Sequence, residues 1–180
     1  MTCTRCTDGT YTLQGRIYQC SNCLGPCYAG IGSRETPEAI RTEMQTIAMT
    51  LCVQGWVLRS GGAKGADEAF EKGCDLINAR RKIVRTATSH QPALTHAAQF
   101  HPDWGACTDV GQALHARNSL VMMGDWLDNP VKFVVCWTPD GAVTGGTGQA
   151  LRIAEAYKIP VFNLAVTPVA ALWEHLHHVQ

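Results

Sequence analysis

The chain lacks any run near the roughly 18 consecutive apolar residues needed to cross a bilayer, so no membrane span is expected. The opening Met1-Thr2-Cys3-Thr4-Arg5-Cys6 has no apolar h-region, and no secretory signal is expected either. An excess of charge is missing too: 15 Lys and Arg face 15 Asp and Glu. Gripping a long nucleic acid needs clustered positive charge to displace counterions, so a neutral total argues against that class. It leaves room for a small anion held by a few local groups. What the chain does have is 180 residues, 46% of them apolar, with a mean hydropathy of -0.07. That suits a soluble protein of one ordinary domain with a small appendage.

The nine cysteines are not spaced as a secreted disulfide framework, because five fall within the first 27 residues. Cys52, Cys74, Cys107 and Cys136 are scattered through apolar segments and read as small buried side chains. A reducing, cytoplasmic setting follows as the expectation. At the N-terminus, Cys3 and Cys6 are followed after thirteen residues by Cys20 and Cys23, two CxxC knuckles that can aim four thiolates at one ion. Between them, Tyr11–Leu13 and Arg16–Tyr18 flank Gly15 as a short hairpin. Residues 1–26 are therefore expected to be a zinc ribbon, its structural ion supplying most of the folding energy. Incidental cysteines or two disulfides are the alternative. Cys27 begins the next strand and is left out of the site.

Residues 27–180 alternate strands and helices. Cys27–Ile31, Trp56–Arg59, Lys82–Thr86, Lys132–Trp137 and Pro160–Leu164 read as strands. Helices are expected after Thr36-Pro37-Glu38 and over 66–73, 92–100, 113–123 and 149–157, with another at the C-terminus. Continuous apolar strands between helices indicate an α/β fold, a Rossmann-like parallel sheet covered on both faces. Three Gly-rich turns follow three of the strands: Gly30-Ile31-Gly32-Ser33-Arg34, Ser60-Gly61-Gly62-Ala63-Lys64-Gly65-Ala66-Asp67 and Thr144-Gly145-Gly146-Thr147-Gly148. Each leads into a helix. Glycine lets the backbone approach an anion, and a helix start presents free N–H groups and the positive end of its dipole. Ligands of such sheets lie beyond the carboxyl ends of the strands, where all three turns fall.

Four blocks, YAGIGSR, SGGAKGAD, LHARN and GGTGQA, carry a resemblance over about residues 27–165. Gly32-Ser33-Arg34 and Ser60–Asp67 are similar to the paired motifs of the DNA-processing protein A (Smf) Rossmann domain. Leu114-His115-Ala116-Arg117-Asn118 resembles the MHERK-like motif of the Lonely-guy phosphoribohydrolases, and Gly145–Gly148 the start of their PGGxGT signature. Together they resemble the SLOG superfamily, most of all its small phage-encoded members. The resemblance implies a Rossmann-like fold that binds nucleotides or nucleotide-derived ligands, and pairing of chains into a homo-oligomer. The phosphoribohydrolases continue GGxGT with a glutamate that works with the arginine of the earlier motif. Here Leu151 stands where that acid would fall, and Glu155 is one helical turn later. Binding is therefore expected and hydrolysis, by Arg117 with Glu155, is the alternative.

The candidate ligand contacts are Gly32, Ser33, Arg34, Gly61, Gly62, Ala63, Lys64, Asp67, Arg117, Asn118, Gly145, Gly146, Thr147 and Gly148. Arg117 and Arg34 offer forks of N–H donors that match phosphate. Asp67 is read first as an N-cap or a holder of loop N–H groups, and second as a ribose contact. Glu35 is open between ribose and cap, and Asn118 between base or ribose and backbone. Trp104 and Trp137 suit either a stacked base or the core. His115 is read as catalytic or as a structural histidine, and His175, His177 and His178 are assigned no metal. The leading expectation is a binder of an ADP-ribose-like or other phosphorylated nucleoside, for instance one that captures a signalling nucleotide on behalf of a phage. Handling of single-stranded DNA is a further alternative, not favoured by the neutral charge.

Overall fold

In the computed structural model, which describes residues 6, 10–13, 16–77 and 81–179, five short strands lie side by side in parallel. They are β3 (Cys27–Gly32), β4 (Val57–Ser60), β5 (Lys82–Val84), β6 (Val134–Trp137) and β7 (Val161–Asn163), in the order β5-β4-β3-β6-β7. A separate antiparallel hairpin, β1 (Thr10–Leu13) with β2 (Arg16–Gln19), precedes them, followed by the single turn α1 (Ser21–Leu24).

Side chains alternate across the sheet, as strand geometry requires. Tyr28, Leu58, Val135 and Phe162 point to one face, where they meet Met44, Ile47 and Leu51 of α2 (Glu38–Val53). Phe70 of α3 (Ala66–Asp75) and Leu172 and Leu176 of α7 (Val169–Val179) complete that layer. Ala29, Ile31, Val57, Val134 and Cys136 point the other way, against Val121 and Met122 of α5 (Asp109–Met123) and Leu151 and Ile153 of α6 (Gly145–Ala156). The short α4 (Gln91–Ala98) packs Ala93 onto Ala116 and Leu120 of α5. Both faces of the sheet are thus covered, which is why its strands are mostly apolar.

Three local readings need correction. The third Gly-rich segment is not a loop before a helix at 149 but the first turn of α6, which opens at Gly145. Helix α5 starts at Asp109, earlier than apolar periodicity suggests, because Thr108 caps it: its Oγ1 accepts the Gly111 N–H at 3.2 Å. Cys52, Cys74 and Cys136 are buried in the layers, but Cys107 is only half-buried and belongs to neither. His175, by contrast, packs its ring against Phe162 and Phe133.

One polar tie fixes the far side of the sheet. Arg85, just past β5, donates through Nε and Nη2 to the two oxygens of Asp125, each at 2.7 Å, with both side chains buried. Arg59, also buried, donates to the Asn129 carbonyl at 2.7 Å and stands in the field of the same carboxylate. Asp125 therefore balances two buried cations. Asp125→Ala should lower the unfolding free energy by about 3–5 kcal/mol, the cost of stranding a buried charge, read from urea denaturation. A loss below about 1 kcal/mol, the level of an exposed pair, would contradict this role.

Candidate functional site

The chain leaves the central strand β3 toward β4 on one side and returns to β6 on the other, so a crevice opens between their carboxyl ends. A cleft of about 550 Å³ occupies it. Its walls are Ile31–Glu35 at the end of β3 and just beyond it, Ala63 of the central loop with Asp67 in the first turn of α3, and Thr138 and Pro139 after β6. Leu114, His115, Arg117 and Asn118 of α5 face Thr144–Thr147 at the start of α6. The three Gly-rich segments therefore meet at one rim.

They do not meet as three bare phosphate cradles. Asp67, 4% exposed, turns its carboxylate back into the central loop. Oδ1 accepts the Gly32 N–H at 3.2 Å, and Oδ2 accepts those of Gly61 at 3.1 Å and Ala63 at 3.4 Å. The Gly62 N–H goes to Ser60 Oγ at 3.2 Å. The place an anion would take in the loop is filled by the protein's own carboxylate. Gly61, Gly62 and Lys64 do not line the cleft, and Lys64 is exposed. Asp67 itself acts as the holder of loop amides, one of the two roles read from its position.

Close approach explains the glycines here. A Cβ on Gly32 would lie 2.6 Å from the Ala66 Cβ and 2.8 Å from the Trp137 carbonyl oxygen. On Gly61 it would lie 1.1 Å from Arg117 Nη1, because the guanidinium passes directly over that residue. Arg117 Nη1 reaches to 3.7 Å from Asp67 Oδ2, with side-chain exposures of 11% and 5%. Burial lowers the Arg117 pKa, Asp67 opposes that and Arg34 adds to it; the guanidinium remains a cation at neutral pH. Burial pushes the Asp67 carboxyl up to about 6, against the pull of Arg117 and of the Ala63 and Gly61 N–H groups.

The opposite wall is open to an anion. The first intrahelical bond of α6 runs from the Gly148 N–H to the Thr144 carbonyl at 2.8 Å. Thr144 does not cap with its side chain, and Gly145, Gly146 and Thr147 line the cleft. Asn118 Nδ2 donates to the Gly146 carbonyl at 3.0 Å and so fixes this turn against α5. Gly148 lies beneath it, its missing Cβ making way for the Val143 backbone. Arg34 and Glu35, both exposed, and Ser33 stand on the β3 side. Glu155 is exposed in the last turn of α6 and takes no part in the cleft, nor do Trp104 and Trp137. Asn163, at the end of β7, also shapes this region. Its side chain accepts the Thr138 N–H at 3.3 Å and donates to Thr138 Oγ1 at 2.7 Å, holding the corner after β6. Nothing in a strand-end asparagine marks it for that task.

At the N-terminus, Cys6, Cys20 and Cys23 bring their sulfurs within 4.8 Å of one another. Cys6 and Cys23 are 3.3 Å apart, and the Cys23 N–H donates to the Cys20 carbonyl at 3.1 Å, which is a knuckle turn. Cys3 lies outside the described residues. The grouped thiols suit a soft or borderline divalent ion such as zinc.

No protein-family model matches this chain, and no curated protein sequence does. Among solved structures it is similar to DNA processing protein A from Helicobacter pylori, described for its single-stranded DNA binding mode. The TM-score is 0.53 at 21% identity, over 77% of this chain and 64% of that one. At this identity the likeness is one of fold, and the present chain spans under two thirds of the other's length.

The raised Asp67 value gives the site a pH signature. Between the ordinary aspartate value near 4 and about 6, the folded chain holds a proton that the unfolded chain has released. The contribution of this group to stability is complete below the lower value and is withdrawn as pH rises through the upper one. Asp67→Asn should flatten the stability–pH profile across that window in denaturation series. Asp67→Ala should cost about 3 kcal/mol at neutral pH by leaving loop N–H groups unpaired.

Proposed function

We propose that residues 27–180 bind a phosphorylated nucleoside of small size, of the ADP-ribose or nucleoside monophosphate kind, in the switch-point cleft. The observation that supports this most is the uncapped first turn of α6 forming one wall, opposite Arg34 and Arg117. A helix start of this kind favours an anion through its free N–H groups and its dipole. A volume of about 550 Å³ falls within the range of small-ligand pockets. The phosphate lies at Gly145–Thr147, Arg34 closes over it from the exposed rim, and the nucleoside extends along α5 past Leu114 and Asn118. Capturing or sensing a signalling nucleotide is the purpose such a binder serves, and the N-terminal thiol cluster holds a structural zinc ion.

Cleavage of an N-glycosidic bond is less favoured. It needs a carboxylate free to work with Arg117, whereas Asp67 is engaged by loop amides and Glu155 is remote, leaving only the exposed Glu35. Binding of single-stranded DNA is the second reading, supported by the fold similarity to a protein described for that property.

Calorimetric titration of the whole chain with ADP-ribose, AMP and an oligothymidylate, at low and raised salt, separates the readings. A small nucleotide should bind one to one with shallow salt dependence, and Arg34→Ala should weaken it about tenfold, or about 1.4 kcal/mol. Binding of the oligomer alone, with a steep salt slope, would replace this reading with the DNA-binding one. Free base accumulating from AMP would replace it with the hydrolase.

A further inference from the structure

We propose that His101, Cys107 and His115 form a second metal site, three protein ligands for a borderline-soft divalent ion such as zinc, with the fourth position left to water or to a donor atom of the molecule in the cleft.

The three side chains come from a tight turn and the helix after it, and their ligand atoms lie within 4.8 Å of one another. Cys107 Sγ stands 3.6 Å from His101 Nδ1 and 3.5 Å from Nε2. Tetrahedral zinc, with its usual bond lengths, separates a thiolate sulfur from an imidazole nitrogen by about 3.5 Å. The His101 and His115 rings are 4.5 Å apart between centroids. The Cys107–His101 pair thus has the spacing of a coordination shell, and the ligand atoms of His115 lie within 4.8 Å of both. One thiolate with two imidazoles is a donor set for zinc-like ions rather than for magnesium or calcium.

The backbone holds this arrangement in place. Asp103 Oδ1 accepts the Ala106 N–H at 3.2 Å, and the Cys107 N–H donates to the Trp104 carbonyl at 3.2 Å, so the turn folds His101 and Cys107 together. Gln112 Nε2 donates to the same carbonyl at 3.3 Å, tying the turn to α5. The Trp104 ring packs at 6.0 Å from His101 and 6.3 Å from His115.

Two buried polar groups beside this cluster lack a hydrogen bond of regular geometry: His115 Nδ1 and the side-chain amide of Gln149, which is wholly buried on α6 within reach of His115. A metal-bound imidazole usually gives its second ring N–H to a carbonyl or amide oxygen, which is a role open to Gln149. There are two costs: ligation through His101 Nδ1 displaces the 3.2 Å bond it accepts from the Asp103 N–H, and a Cys107 thiolate gives up the 3.6 Å bond its thiol donates to the Asp103 carbonyl. His115 also lines the cleft, so the ion would stand at its edge. Three protein ligands and an open position are the pattern of zinc sites that engage a substrate or water, in contrast to an all-thiolate structural site.

Cobalt substitution of the whole chain tests this, because thiolate charge-transfer and d–d bands report ligand type. The wild type should take up two ions per chain. Cys6→Ser/Cys23→Ser should retain one, with the spectrum of a single thiolate and nitrogen donors. Cys107→Ser and His115→Ala should each lose that ion and keep the all-thiolate one. Unchanged stoichiometry and spectrum in Cys107→Ser and His115→Ala would overturn the proposal. Should those variants fail to fold by circular dichroism, the Cys6→Ser/Cys23→Ser chain decides: native dichroism in that chain without bound cobalt also overturns it.

Discussion

A single buried carboxylate organises the functional end of this molecule. Asp67 gathers amides from the end of β3 and from the loop after β4, and Arg117 supplies the nearest opposing charge. A carboxylate removed from water is costly unless hydrogen bonds and a cation replace its hydration. Here that replacement uses two glycines. Gly32 admits the close contact between β3 and α3, and Gly61 clears the path of the guanidinium. The loop geometry, the position of Arg117 and the shape of one cleft wall are consequences of the same compensation.

Because that carboxylate already fills the central loop, the loop repels a second anion. In the proposed reading the external anion is taken by the other wall, where α6 begins without a side-chain cap. Asn118 secures that turn through a main-chain carbonyl, so its contribution is to place N–H donors rather than to supply one. The cleft is polarised: a negative group shielded by Arg117, with the exposed Arg34 at the rim, on one side and a helix start on the other. A ligand with separated phosphate and neutral parts suits such a field.

Cysteine occurs in three settings along this chain. Cys52, Cys74 and Cys136 are packing residues, and Cys6, Cys20 and Cys23 gather beside a hairpin too short to have much core of its own. Cys107 stands with two imidazoles, of which His115 lines the cleft. The difference lies in surroundings: Cys52 and Cys74, although 3.0 Å apart, are enclosed in an apolar layer that leaves a thiol inert, whereas groups of three thiol or imidazole donors could hold an ion.

The order of strands and helices, the burial of both sheet faces and the convergence of the Gly-rich segments at the carboxyl rim follow from the chain's apolar runs and turns. The CxxC spacing likewise pointed to Cys6, Cys20 and Cys23, whose sulfurs the structure brings together. These features are set by short-range periodicity and by backbone requirements that a residue type displays directly. Other features depend on atoms far apart in the chain and have no local mark. That Gly145 opens a helix, that Arg117 crosses Gly61 and that Glu155 faces away from the cleft are decided by packing between α5, α6 and the loop. The meeting of His101, Cys107 and His115 belongs with them, because it needs a turn closed by Asp103 and Trp104 and a helix started by Thr108. Sequence determined the frame and its rim; only the tertiary structure decided which amides stay open there, since a carboxylate's partners are chosen by distance and desolvation rather than by position along the chain.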